Sequence, residues 1–597
     1  MKGKSCLRRG CLFSLVIPAI LAVLFFLLFR SSHDLQDRFV LVVPVGGSLE
    51  ERSAESVSVP FLMEEGELSF QDMLFMFNQA ATDKRIKTVL LEIGNVQASP
   101  AKITELRQAI ARLRAGGRKV VAWLHSAEDS DYMLAAACDS VIVERGGYLL
   151  LDGLKAETLY YTGALGKVGV SFQAAQWKRY KSGVEPFTRT GASPEYIEQI
   201  NALLDAVYSD YTAYVSKRRG ISRDSIVSII DNIALVKAAE AVRLGLVDGV
   251  ASNWELKRAL SRRITGKPPE ESLDLFVSAG AYRETLDWPV KAAQRDAVAV
   301  ITISGPIVRS VGGAAMASDE GTDVGTLRRS LDAVLQDDRV KALVLRIDSP
   351  GGDALASSDM LQMLDSAAVK KPLVVSMSGI AASGGYMAAL AGKTVYAQPL
   401  TITGSIGVYA LKPEISDLAE KIGLERSVAT RGRFADANTL FKPLEGEAYE
   451  KFIGASGDIY LDFIGKVARS RKMTVAAVDS VAGGRVWTGR AALPKGLVDR
   501  EGGLFDAIRA ARSLAKMDMA KQPRIVLYPE RKSWLQMLME GNPAGIAGSL
   551  ERMAVRRVVR DVTPRSPYGA MLRMHEMLLR SGEVEVLAAM PCEIIIR

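Results

Sequence analysis

Two stretches of this chain repeat one succession of apolar runs. Val40 to Val43, Val89 to Ile93 and Val120 to Leu124 form the first set, and Val298 to Ile303, Leu343 to Ile347 and Leu373 to Ser378 the second. The runs are short and rich in β-branched residues, and segments with helical spacing of apolar positions separate them. That alternation predicts βαβ units and a parallel sheet in each half.

The halves are copies. Asp83, Arg85, Lys87 and Ile93 recur as Asp337, Arg339, Lys341 and Ile347, an offset of 254. Without a gap the same offset carries Tyr132-Met133 onto Tyr386-Met387, Gly153 onto Gly407, Gly169 onto Gly423, Arg179 onto Arg433 and Phe187 onto Phe441. Further on it drifts to 251, where Gly245-Leu246-Val247-Asp248 meets Gly496-Leu497-Val498-Asp499, as a few loop insertions would produce. Internal repetition at this length predicts two domains of one α/β fold. The boundaries expected are 35–255 for the first repeat and 296–515 for the second. A linker over 256–295 is marked by Pro268-Pro269, and 521–597 is an appendage in which Glu585-Val586-Leu587 and Ile594 to Ile596 read as short strands.

Composition adds an anchor and removes a partner class. Residues 11–29 carry no charge and are about long enough to cross a bilayer as a helix. Lys2, Lys4, Arg8 and Arg9 precede the run and no comparable cluster follows, so a basic cytoplasmic tip (1–10), a transmembrane anchor (11–29) and an outward-facing remainder are expected. A cleaved signal is the rival reading, although Phe29-Arg30 interrupts any small-residue cleavage site near the end of the run. The net charge of +8 comes mostly from that tip and from 521–597, so the region between is roughly neutral and nucleic acid is not expected as a partner. The four cysteines are scattered, and neither a disulfide framework nor a zinc site is indicated.

Candidate chemistry lies where the copies differ. After the third strand of the second copy comes Ser378-Gly379-Ile380-Ala381-Ala382-Ser383-Gly384-Gly385-Tyr386, which turns sharply and brings a serine hydroxyl to the start of a helix. Ser383 is either a nucleophile or an ordinary helix N-cap. Gly351 and Gly352, closing the second strand, offer amides that could join that of Gly384 in an oxyanion hole; a plain turn is the alternative. Of the three histidines only His125 lies within a repeat, ending a strand of the first copy, so a Ser-His-Asp triad has little to draw on. A lysine can serve instead if burial keeps it neutral. Gly392-Lys393-Thr394 lacks the spacing of a phosphate-binding loop, and Asp337-Asp338 reads as a solvated turn.

These residues resemble the signal peptide peptidase A family, also called protease IV, in its long duplicated form. The resemblance spans roughly 35–520 and is carried by Tyr180-Lys181-Ser182-Gly183-Val184-Glu185-Pro186-Phe187 and Ala382-Ser383-Gly384-Gly385-Tyr386. It implies Ser383 as nucleophile, Lys181 as general base and Ser405, in Thr403-Gly404-Ser405-Ile406-Gly407, as the serine that orients the lysine amine. The repeat offset tests this from within: Ser383 maps onto Asp129, Ser405 onto Leu151 and Lys181 onto Ala435. Each copy lacks what the other keeps, as expected of one site assembled from two domains.

The resemblance further implies a ClpP/crotonase-like fold, peptide substrates in the form of cleaved signal peptides, no cofactor or metal, a homotetramer, and residence in a bacterial inner membrane with the catalytic part on the periplasmic side. Two other classes remain open at this point: a crotonase-like acyl-CoA enzyme, and a non-catalytic membrane scaffold in which Ser383 only caps and Lys181 is a surface charge.

Overall fold

A computed structural model describes residues 37–52, 68–286, 296–309 and 321–530, and the backbone of 585–588. The anchor expected over 11–29 lies outside them; among the described residues no helix is long and apolar enough to cross a membrane.

Each repeat builds a parallel sheet around the predicted runs, and in the second copy Ile402–Gly404 adds to the end of Leu373–Ala382 in parallel and is itself paired antiparallel by Val486–Thr488. In the first copy the strand order is Gly249–Val250, Ser140–Val143, Lys119–Leu124, Ile86–Gln97, Phe39–Ser48, Phe276–Ser278. In the second it is Arg500–Glu501, Val395–Ala397, Leu373–Ala382, Val340–Ser349, Ala297–Ser304, Arg524–Tyr528. The two orders correspond strand for strand, and so do individual bonds. Tyr132 Oη donates to Leu246 O at 2.7 Å and Tyr386 Oη to Leu497 O at 2.9 Å. Val141 N–H donates to Asp248 Oδ2 and Val395 N–H to Asp499 Oδ2, both at 2.7 Å.

Two expectations about the joints need correction. The stretch assigned to a linker is not one in its first part: Asn253–Thr265 is a helix, and Phe276–Ser278 pairs with Val40 to Val42 as the edge strand of the first sheet. Likewise the start of the expected appendage, Arg524–Tyr528, pairs with Ala297 to Ile301 in the second sheet. Strands of three to five residues are too short to display a period, so in the sequence they read as connection.

The repeats share a core. Along Ala297–Ser304 successive side chains point to opposite faces, and Ala299, Ile301 and Ile303 face the second copy's own helices while Val298 and Val300 join the cluster around the first copy's Phe70–Ala80 and Pro100–Ala115 helices. Leu504, Ala507, Ile508 and Ala511, on one face of the Leu504–Leu514 helix, complete that shared cluster.

At the polar end of this junction sits Arg346, fully buried. It donates to Glu51 Oε1 at 2.9 Å, Glu105 Oε2 at 2.7 Å, Ser376 Oγ at 2.8 Å and Ser378 Oγ at 2.9 Å. Both carboxylates belong to the first copy and Arg346 to the second. Burial alone would raise the Glu51 pKa, but the Arg346 and Lys102 charges and hydrogen bonds from Arg346 and Ser378 outweigh it and hold the carboxyl at about 2. A second cross-repeat pair, Lys102 Nζ to Asp348 Oδ2 at 2.6 Å, lies beside it and braces the residue that precedes Ser349-Pro350-Gly351-Gly352.

A third sheet joins the copies directly. Ser171–Gln176 of the first runs antiparallel to Tyr409–Glu414 of the second, from Ser171 opposite Glu414 to Gln176 opposite Tyr409. This ladder carries the segment that follows Gln176, including Lys181, across the domain boundary.

Candidate active site

The strand Leu373–Ala382 ends at Ser383 and the short helix Gly384–Ala389 begins at the next residue. Ser383 takes φ 53° and ψ −114° there, a positive-φ conformation costly for a residue with a side chain. Its backbone is held on both sides: the N–H donates to Gly404 O and the carbonyl accepts from Met387 N–H, each at 2.8 Å. The flanking glycine is sterically required, since a Cβ on Gly384 would stand 2.3 Å from Ser357 Oγ. The hydroxyl makes no capping bond to the helix, so the N-cap reading fails.

Instead the hydroxyl meets Lys181. Lys181 Nζ donates to Ser383 Oγ at 2.7 Å, to Ser405 Oγ at 2.9 Å and to Ser405 O at 2.9 Å. All three residues are fully buried, so the surface-cation reading of Lys181 fails as well. No carboxylate bonds the amine among the described residues, and burial holds its pKa well below the ordinary lysine range. Ser383 Oγ also lies 3.4 Å from Gly407 O as a donor.

The lysine is fixed by contacts to the second copy. Tyr180 N–H donates to Gly483 O at 3.1 Å. Gly484, at φ 84°, lies so close that a Cβ there would be 2.5 Å from Lys181 N. Ser405 in turn sits at φ 49° and donates its N–H to Arg485 O at 2.8 Å. Sequence reasoning missed Gly484, and it missed Gln199. The Gln199 side chain, buried on the Pro194–Arg219 helix, donates to Tyr180 O at 3.3 Å and Ser182 Oγ at 3.1 Å, one on each side of Lys181, and accepts from Val486 N–H at 3.3 Å. A single side-chain amide thus ties the lysine segment of one copy to the Val486–Thr488 strand of the other. The only sequence signal would have been a glutamine on the apolar stripe of that helix.

The three candidate oxyanion glycines are not equivalent. Gly351 N–H donates to Ser349 Oγ at 3.2 Å, which commits that amide. Gly352 lies in the third sheet and Gly384 opens the helix after Ser383. Of the three, Gly384 is the one whose place at the start of a helix leaves its amide without an intrahelical acceptor.

In the first copy the position of Ser383 is held by Asp129, whose carboxylate accepts from Gly153 N–H at 3.1 Å and whose pKa burial pushes up to about 7. No hydroxyl stands there. His125 is exposed beside the Trp123 ring and takes no part in the bonds to Ser383. Asp337 pairs with Arg339 in an exposed turn, and Lys393 N–H closes onto Leu373 O, so neither decoy forms a site.

Against known proteins, the model of peptidase family S49 matches residues 112–263 and 366–518, one segment in each repeat. The chain is 31% identical over 512 residues to a chloroplastic serine protease, SPPA, of Arabidopsis thaliana, covering 84% of this chain and 72% of that one. It is 31% identical over 493 residues to Protease 4 of Salmonella typhi, covering 81% and 78%. Among solved structures, a mutant of ClpP1 from Listeria monocytogenes overlays 35% of this chain and 94% of its own, at 12% identity and a TM-score of 0.24. A mutant of the membrane-bound stomatin-specific protease 1510-N overlays 40% and 92%, at 14% identity and a TM-score of 0.24.

Proposed function

The chain belongs to peptidase family S49 and is a serine protease of that family, and on this premise we propose that it is a membrane-anchored endopeptidase with a Ser383–Lys181 dyad that degrades remnant signal peptides and similar hydrophobic peptides. The observation that carries the dyad is the 2.7 Å contact between Lys181 Nζ and Ser383 Oγ in a site with no competing base among the described residues.

In the reaction, neutral Lys181 takes the Ser383 proton along that contact as Oγ attacks the scissile carbonyl. The Gly352 and Gly384 amides hold the oxyanion. The lysine ammonium then protonates the departing amine, and the restored base activates the water that releases the acyl-enzyme. Ser405, through its hydroxyl and its carbonyl, fixes the direction of the amine. A lysine of ordinary pKa would be protonated at neutral pH and useless as a base; burial removes that obstacle.

The apolar run over 11–29 supports residence at a bilayer with the catalytic part outside the cytoplasm, where hydrophobic peptides collect. A homotetramer is proposed on the family resemblance. The test is hydrolysis of an apolar reporter peptide by detergent-solubilised full-length protein. Ser383→Ala and Lys181→Met should each bring turnover to background while the fold is retained, and full activity in either variant would remove the dyad.

A further inference from the structure

Lys181 is not the only lysine that the first copy sends toward the nucleophile of the second. Lys102 stands in the first turn of the Pro100–Ala115 helix, where the helix dipole favours carboxylates and disfavours a cation. Side chains on a helix lean toward its N-terminus, and this one ends between two oxygens, Leu49 O at 2.7 Å and Asp348 Oδ2 at 2.6 Å. Both side chains of the ion pair are largely buried. The repeat offset of 254 puts Ala356 at the position of Lys102 and Gly94 at that of Asp348. Each copy keeps one partner and lacks the other, the same complementary loss that marks Lys181 and Ser383.

Asp348 stands where two strands part. The ladder between Val340–Ser349 and Leu373–Ala382 runs in step to Ile347 opposite Met377 and resumes with Ser349 opposite Ala381. From 347 to 349 one strand advances two residues, while from 377 to 381 the other advances four. Within that break Ile380 N–H donates to Asp348 Oδ1 at 3.1 Å, so a side chain takes the place of a ladder acceptor. The approach is close, since a Cβ on Gly379 would stand 3.0 Å from Asp348 Oδ1 and 2.5 Å from Ser99 Oγ, the cap of the Lys102 helix. Two stretches meet at this carboxylate. Ile380 lies three residues before Ser383. Ser349, which follows Asp348, packs under the helix that follows the nucleophile, where a Cβ on Gly385 would be 2.7 Å from Ser349 O.

We propose that Lys102 is a positioning residue for the reaction: by holding Asp348 it aligns the Ile380–Ser383 end of the nucleophile strand with the Ser349–Gly352 turn. The inference rests on reading Ser383 and Lys181 as a peptidase site. The first copy then supplies the second with a base and, separately, with the alignment of the hydroxyl against the groups that receive the substrate carbonyl. A misalignment of about 1 Å at reacting atoms costs about 100-fold in rate. Lys102 itself touches neither Ser383 nor Lys181, so its effect is on turnover rather than on peptide binding.

The test compares full-length Lys102→Met, Lys102→Arg and Asp348→Asn with the unsubstituted protein on an apolar reporter peptide. Turnover is expressed per Ser383 that a fluorophosphonate titrates to completion, so that loss of folded protein lowers the number of sites and not the rate at each. Lys102→Met should lose about 100-fold in kcat with KM nearly unchanged. Lys102→Arg, which keeps the charge, should restore most of that loss. Asp348→Asn keeps an acceptor for Ile380 N–H and removes only the charge, so it should show a smaller fall in the same direction; it decides the matter if Lys102→Met does not fold. Wild-type kcat per titrated site in Lys102→Met or, failing that, in Asp348→Asn overturns the proposal, and so does a loss that appears wholly in KM. Either result leaves the dyad standing, because failure of the dyad is read with Lys102 intact, as turnover that survives Ser383→Ala.

Discussion

Replacing Arg346 by Met should destabilise the junction between the repeats by about 3–5 kcal/mol at neutral pH, the usual consequence of deleting one partner of a buried ion cluster. The guanidinium is fully buried and bonds two carboxylates, Glu51 and Glu105, that reach it from the other copy. Methionine fills much of the same volume, so loss of packing is a small part of the effect and the uncompensated carboxylates the large part. The pH dependence separates the two. With Arg346 present the Glu51 pKa is depressed to about 2, so its contribution to stability is complete above the ordinary carboxyl value of 4.5 and is lost as pH falls through about 2. Without Arg346, only the Lys102 charge and the Ser378 hydrogen bond oppose burial, so the Glu51 pKa moves upward and proton uptake relieves part of the penalty as pH falls. Urea unfolding of both proteins at about pH 8, 7 and 5 is the assay. The stability gap should be widest at the alkaline end and narrow toward the acidic one. A gap below about 1 kcal/mol at neutral pH, or one that does not change with pH, would refute the account of this cluster.

Three further outcomes concern the site and its vestige in the first copy. Ser405→Ala removes one acceptor of the Lys181 amine and leaves the Ser405 carbonyl in place, so a net hydrogen-bond contribution of about 0.5–1.5 kcal/mol predicts a roughly 2- to 12-fold fall in kcat with little change in KM, read by steady-state kinetics. Gln199→Ala strips the brace from both sides of Lys181 and should cost about 1–3 kcal/mol in chemical unfolding together with a fall in kcat; unchanged kcat would make Gln199 purely structural. Asp129→Asn should stabilise the protein more at about pH 8 than at about pH 5, because the raised folded-state pKa makes the wild-type aspartate lose stability as pH climbs toward and through about 7. Unfolding midpoints at the two pH values check the sign.

The long strands and the duplication are readable in the sequence, because Val298 to Ile303 and Leu343 to Ile347 are continuous apolar runs and the offset of 254 is kept over most of a repeat. The pairing of Lys181 with Ser383 is readable too, through complementary losses at Asp129, Leu151 and Ala435. What stays hidden is short or distant. Phe276–Ser278 and Arg524–Tyr528 are edge strands with too few residues to alternate visibly, so one reads as linker and the other as appendage. Gln199 acts on residues 17 to 287 positions away, and no local pattern encodes such bonds. Arg346 does leave a trace: its counterpart in the first copy is Glu92, a reversal of charge inside an otherwise matching strand.

The most direct test of one composite site is the rate at which a serine-reactive fluorophosphonate acylates Ser383 as a function of pH, in the full-length protein and in Lys181→Met. The adduct should form on Ser383, with a rate that rises with pH through a midpoint below the ordinary lysine value of about 10.4, and Lys181→Met should react slowly and without this midpoint. Labelling of Lys181→Met at the wild-type rate with the same pH profile would contradict a composite site.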